Sequence, residues 1–142
     1  MKKLFIILCV FAAASCSKVV NHQPAGSAIP FFANQVQVSN IVTKTLQDQY
    51  PQESMISVDR ISYLQSTGGD YAFVFYTTSS RPRSLVVKKS HGVQTNNVSV
   101  TTCAGDCDCK VKAILGNDGS IDVGCSCSSC KTVTSAFESV DL

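Results

Sequence analysis

Tryptophan is absent from this 142-residue chain, and charged residues make up 15% of it, a thinner supply than soluble domains usually carry. No apolar run is long enough to cross a bilayer as a stable helix; the longest, Leu4 to Ala14, stops well short. No glycine loop of the phosphate-cradling kind, no H-E-x-x-H and no G-x-S-x-G occurs, so nothing argues for an enzyme and the expectation is a non-enzymatic protein. Internal repeats and low-complexity runs are also missing. The formal charge of +2 comes from Lys2 and Lys3, and without them ten basic residues balance ten acidic ones. Nothing in that balance suggests a nucleic-acid footprint or a polybasic membrane patch, and no nucleic-acid partner is expected.

What is present begins with an address. Met1-Lys2-Lys3 is a positive start, Leu4 to Phe11 an apolar stretch, and Ala12-Ala13-Ala14-Ser15-Cys16 a small-residue processing site. Residues 1–15 read as a signal peptide. The site resembles a bacterial lipobox, with alanine at position 13 where leucine is commoner. That resemblance implies that Cys16 becomes the mature N-terminus and carries lipid. The membrane, through that lipid, is then the first expected partner, and the cell envelope the expected location. Neither surface nor periplasm is favoured, since no acidic run follows Cys16. Residues 16–30 read as the lipidated terminus and a tether holding Pro24, Gly26 and Pro30, with His22 a solvated tether residue. Extended, this tether spans up to roughly 45 Å.

Residues 31–102 have the pattern of an α+β domain. Gln35-Val36-Gln37-Val38 alternates like a short strand. Val38, Ile41, Val42, Thr45, Leu46 and Gln49 then recur at helical spacing, with Ser39 as N-cap and Pro51 as stop. Strands are expected over Met55–Gln65, Tyr71–Thr78, Ser84–Lys89 and Val93–Thr102. On the first of them Ile56, Val58, Ser62 and Leu64 share a face. The second is apolar on both faces and is expected at the centre of the sheet. Short connections favour an antiparallel meander of about four to five strands, with Val133 to Phe137 as an added edge. Strand, helix and meander in this order resemble a cystatin-like roll, although the inhibitory motif of that family is not recognisable.

Residues 103–142 hold the chemistry: a cysteine-rich hairpin and a tail. The run from Cys103 to Cys130 contains six of the eight cysteines, Cys103, Cys107, Cys109, Cys125, Cys127 and Cys130. Asn117-Asp118-Gly119 suits a three-residue hairpin loop with Gly119 left-handed. Leu115 then faces Ile121, Ala113 faces Val123, Val111 faces Cys125 and Cys109 faces Cys127. Alternation puts Cys107, Cys109, Cys125 and Cys127 on one side, with Asp108, Lys110, Lys112 and Asp122 on the other.

An exported chain with an even set of cysteines is expected to form disulfides, with Cys109–Cys127 the pair the register favours. Cys103, Cys107, Cys125 and Cys130 would form two more, in an order the spacing does not fix. Cys103-x3-Cys107 and Cys127-x2-Cys130 around a hairpin also resemble a zinc ribbon. That resemblance implies tetrahedral zinc on Cys103, Cys107, Cys127 and Cys130, leaving Cys109 and Cys125 surplus. The paired C-x-C motifs resemble metallothioneins and imply a softer cation such as Cu(I). Cys127-x2-Cys130 matches a thiol-oxidoreductase spacing, but that motif belongs at a helix N-terminus. His91 and Arg81-Pro82-Arg83 read as turn residues, the arginines with the means to grip an anion. Asp106, Asp108, Asp118 and Asp122 miss the calcium-loop spacing.

These readings give three functions. The leading one is a disulfide-stapled, lipid-anchored interaction module for an envelope protein or ligand. A metal-binding or metal-sequestering lipoprotein is the second, and a thiol-redox enzyme the third.

Overall fold

The computed structural model describes residues 32–91, 98–105 and 108–138. The expected signal peptide, the expected lipidation site Cys16, the expected tether with His22, and Asp106 and Cys107 lie outside the described residues, as do residues 92–97. Among the described residues no helix is long and apolar enough to cross a membrane.

The chain enters helix α1 (Gln35–Gln49) at Asn34, an extended residue whose side-chain oxygen accepts a hydrogen bond from the Gln37 amide. Asn34 thereby satisfies one of the amides that a helix start leaves without a partner. Two sequence expectations are corrected here: Gln35 to Val38 is the first turn of α1 and not a strand, and the cap is Asn34 and not Ser39. Four residues of alternation fit both periods, and the Asn34 cap extends the helical one backwards. Val38, Ile41, Val42, Thr45 and Leu46 form the buried stripe. The helix ends at Tyr50, whose amide still reaches the Leu46 carbonyl, just before Pro51.

Five strands make the main sheet in the order β1-β2-β3-β4-β7: β1 (Met55–Ser66), β2 (Gly69–Thr78), β3 (Pro82–Ser90), β4 (Val98–Ala104) and β7 (Lys131–Phe137). All neighbours are antiparallel. The fold is α+β with an antiparallel meander, and β7 adds the far edge. Pro82 opens β3, a position where its missing amide removes no ladder bond within the strand. Gly69, at φ +149°, follows the β1–β2 turn, and a Cβ there would stand 2.5 Å from the Lys89 carbonyl oxygen on β3. Only glycine lets the strands close at that corner.

Two small strands, β5 (Val111–Leu115) and β6 (Ile121–Cys125), pair as a separate antiparallel ribbon between β4 and β7. The 102/103 boundary therefore falls inside β4, and the chain leaves the sheet for the ribbon and returns to it as β7.

Both faces of the sheet are covered, which explains why β2 is apolar on both sides. Ala72, Val74 and Tyr76 point toward α1, together with Leu85, Val87, Val98, Val100 and Phe137. Tyr71 and Phe73 point the other way, with Val86 and Cys103, and meet Cys109, Val111, Ile121 and Cys130. The face expected for β1 is corrected: bulges between Met55 and Ser57 and between Val58 and Arg60 shift its register. Val58, Ile61 and Tyr63 consequently pack toward α1, Leu64 packs toward the ribbon, and Ile56 is left exposed.

Candidate functional site: the cysteine ribbon

The ribbon owes its register to its loop. Gly119 sits at φ +79°, the left-handed position, and its amide donates to the Gly116 carbonyl. The Gly116 amide donates to Ser120, and the Asp118 carboxylate accepts from the Ser120 amide. With three residues in the loop, Leu115 pairs with Ile121, Ala113 with Val123 and Val111 with Cys125. The ladder runs past the strand ends: the Ser126 amide donates to the Lys110 carbonyl, and the Lys110 amide to the Ser126 hydroxyl. That extension sets Cys109 opposite Cys127.

Those two are disulfide-bonded, with Cα atoms 5.7 Å apart. This is the pair that the register favours. A second bridge joins Cys103 to Cys125 with Cα atoms 5.6 Å apart. Both separations are ordinary for a disulfide. The bridges do different work. Cys109–Cys127 closes the open end of the ribbon, whereas Cys103–Cys125 fastens β6 to β4 and so holds the ribbon against the sheet. Their sequence separations of 18 and 22 imply about 3 kcal/mol of stabilisation each on the loop-entropy account. Cys130 is disulfide-bonded as well.

Hydrogen bonds finish the seam. The Val111 amide donates to the Ser84 hydroxyl at 2.8 Å, and the Tyr71 hydroxyl to the Ile121 carbonyl at 3.3 Å. At the base, Arg81 pairs with Asp108 at 3.1 Å. At the far end Ile114 and Leu115 stand 48% and 68% exposed. The expected apolar face thus splits: Val111 and Ile121 are buried at the sheet, while Leu115 projects into solvent.

The sulfurs of Cys109, Cys127 and Cys130 lie within 4.8 Å of one another, a triad that could hold a metal ion. The four residues that a zinc ribbon would use are not grouped in this way among the described residues. Cys103 is bonded to Cys125 outside the triad, and Cys107 is not described. In the oxidised state each sulfur of the triad is engaged in a disulfide. Metal ligation requires thiolate, so reduction must come first.

The anion-gripping arginines find their anions within the protein. The Arg83 guanidinium makes a fork-like pair with Glu53, its Nε donating at 2.7 Å and Nη2 reaching the second oxygen. Both side chains are buried, and the Thr78 hydroxyl donates to the same carboxylate. Arg83 also lies over the Tyr50 ring at 3.5 Å, and the Tyr50 hydroxyl donates to the Cys103 carbonyl at 2.8 Å. The Arg83 hydrogen bonds hold the Glu53 carboxyl down to about 2, with help from Thr78 and against the opposing push of burial. Glu53 and Tyr50 escaped sequence reasoning, because Arg83 is distant from both in the chain, thirty residues from Glu53, and no local pattern marks it. His91 sits at the surface, its Nε2 3.2 Å from Asp70.

No protein family, curated protein or solved structure compared with this chain matches it.

Proposed function

We propose that the protein is a lipid-anchored envelope lipoprotein whose cysteine ribbon serves as a non-enzymatic interaction module. The observation that carries this reading is the Cys103–Cys125 bridge, which fixes a two-stranded ribbon to the sheet while its Ile114–Leu115 end stays exposed. A ribbon this small is marginal alone, and a covalent link supports a fixed presentation of that end. In this reading Cys16 carries the lipid, the tether spaces the domain from the membrane, and Cys107 is the cysteine left by parity for Cys130. The element order retains its similarity to a cystatin-like roll, without a strand before α1 among the described residues. No inhibitory function is drawn from it.

Two experiments test the reading. The Cys16→Ser protein should lose membrane partitioning, and retention at the wild-type level would remove the lipid anchor from the account. A photo-crosslinker at position 115 should capture a discrete envelope partner, and Leu115→Asp should abolish capture without changing the melting temperature. Equal capture by Leu115→Asp would contradict a role for the exposed end.

A second reading, a metal-holding lipoprotein using zinc or Cu(I), is favoured by the grouping of Cys109, Cys127 and Cys130 sulfurs. Metal analysis of anaerobically purified protein separates the two. The first reading expects no free thiols in residues 103–130, the second reduced thiols with stoichiometric metal.

A further inference from the structure

Between the ribbon and the outer part of the sheet the described residues enclose a cleft of about 290 Å³. Its floor belongs to β4 and β7, whose alternate side chains turn toward the ribbon. Ser99 and Thr101 on β4 and Thr132 and Thr134 on β7 line that floor with four hydroxyls. The register arranges them as a grid, with Ser99 beside Lys88, Thr101 beside Thr134, and Thr132 beside Cys103. Such neighbours stand about 5 Å apart across strands and about 7 Å apart along one, the scale of a sugar ring. The Thr101 and Thr134 hydroxyls are 2.9 Å apart, so one donates to the other. The accepting hydroxyl keeps its proton for a ligand, and both oxygens keep lone pairs.

The wall is β6. Backbone bonds join Lys110 to Ser126 and Gly116 to Ser120, so alternation turns the amides and carbonyls of Ile121 and Val123 away from β5. Side chains cap that edge: the Tyr71 hydroxyl donates to the Ile121 carbonyl, and the Asp122 carboxylate accepts from the Val123 amide at 2.8 Å. A capped edge is a poor template for an added strand, which leaves side chains as the means of recognition. Ile121 and Val123 give the wall its apolar surface. The Cys103–Cys125 bridge fastens β6 to β4 and so holds wall over floor, a preformed space that costs a ligand little ordering.

Charge narrows the choice further. Lys88, its ammonium 5.4 Å from the centre of the Tyr71 ring, and Asp122 both line the cleft. An anion would be repelled by Asp122 and a cation by Lys88, whereas a neutral ligand that both donates and accepts suits both. The volume lies at the foot of the range for small-molecule pockets, which fits one ring and not a chain.

We propose that this cleft binds one neutral pyranose unit, its hydroxyls on the floor of Ser99, Thr101, Thr132 and Thr134 and its C–H face against Ile121 and Val123. The site is a different surface from the exposed Ile114–Leu115 end, and neither depends on the other.

The test uses the disulfide-bonded mature chain carrying Cys16→Ser, labelled with nitrogen-15 and titrated in amide correlation spectra. The probes are the methyl pyranosides of glucose, galactose, mannose and N-acetylglucosamine, with glycerol, inorganic phosphate and an acetylated Thr-Val-Thr-Val-Thr peptide beside them. At least one pyranoside should give saturable shifts confined to β4, β6 and β7, with a dissociation constant in the millimolar range. Thr101→Val with Thr134→Val should weaken that binding by about tenfold, the order expected from losing hydrogen bonds, while the melting temperature holds. Lys88→Met supplies a second variant on another strand and should weaken it as well. Silence from every pyranoside would overturn the proposal, as would equal shifts from glycerol or phosphate. Saturable binding of the peptide with the sugars silent would replace it by strand addition. Sugar binding unchanged in both variants would move the site elsewhere and contradict the assignment.

Discussion

The two faces of the sheet are held by different means. Beneath α1, Val42, Ala72, Val74, Leu85 and Val87 are wholly enclosed, and thirteen buried residues form one cluster without a cross-link among them. Beneath the ribbon the cluster has eight, three of them cysteines. An amphipathic helix of fifteen residues brings a continuous stripe to its face, whereas five-residue strands bring Val111, Ile121 and a half-buried Val123. Burial alone is enough on the first face. On the second, covalent bonds supplement it by limiting the unfolded chain. The contrast teaches that disulfides here concentrate where apolar area is short.

The comparison can be broken by testing each face with and without reductant. The largest effects should come from core truncations. Leu85→Ala should cost about 2–5 kcal/mol and Phe73→Ala about 3–5 kcal/mol in denaturant unfolding of the oxidised protein. After reduction the Leu85 penalty should persist and the Phe73 penalty shrink, because Phe73 lies under the ribbon. Phe75 is half-buried with Arg60 above its ring, and Phe75→Ala should cost less than Phe73→Ala. Equal penalties at Leu85 and Phe73 in both redox states would erase the distinction between the faces.

Next comes the staple. Cys103→Ser combined with Cys125→Ser should lower stability by about 3 kcal/mol. Hydrogen exchange should then accelerate in β5 and β6 while α1 stays protected, and uniform acceleration across the molecule would contradict the division.

Acid probes the helix-covered side. The Glu53 carboxyl has an ordinary value of 4.5 and is held at about 2 in the folded protein. Its stabilisation is therefore full above pH 4.5 and is lost as pH falls from there toward 2, amounting to at most about 3 kcal/mol. Melting temperature should fall across that window, and Glu53→Gln should flatten the fall. An unchanged acid profile in Glu53→Gln would assign the loss to other carboxylates. The smallest effect is expected at the ribbon end, where Leu115→Ser should change stability by less than about 0.5 kcal/mol, since the side chain is largely exposed.

Much of this architecture was legible, and the misses have physical causes. The both-sided apolarity of Tyr71 to Tyr76 reports that two layers cover β2. The expected central place is corrected: β2 lies second from the edge and β3 is the middle strand. Burial on both faces marks covering layers and not position in the strand order. The chemistry of Asn117-Asp118-Gly119 carried the pairing of β5 with β6, since loop length alone sets hairpin register. The start of α1 was misplaced because four alternating residues cannot discriminate a period of two from one of 3.6. Side-chain facing in β1 was misjudged because a bulge inserts a residue without any mark in composition. The Cys103–Cys125 bridge was beyond reach for another reason: it depends on how the ribbon lies on β4, a tertiary fact. The Glu53–Arg83 clasp escaped in the same way, with only its arginine suspected.

The central claim is that disulfides fasten the ribbon to the sheet, and non-reducing peptide mapping of the mature protein tests it most directly. The account predicts recovery of Cys103 linked to Cys125 and Cys109 linked to Cys127, with no alkylatable thiol among residues 103–130. Recovery of Cys103 or Cys109 as a free thiol in folded, metal-free protein would contradict it.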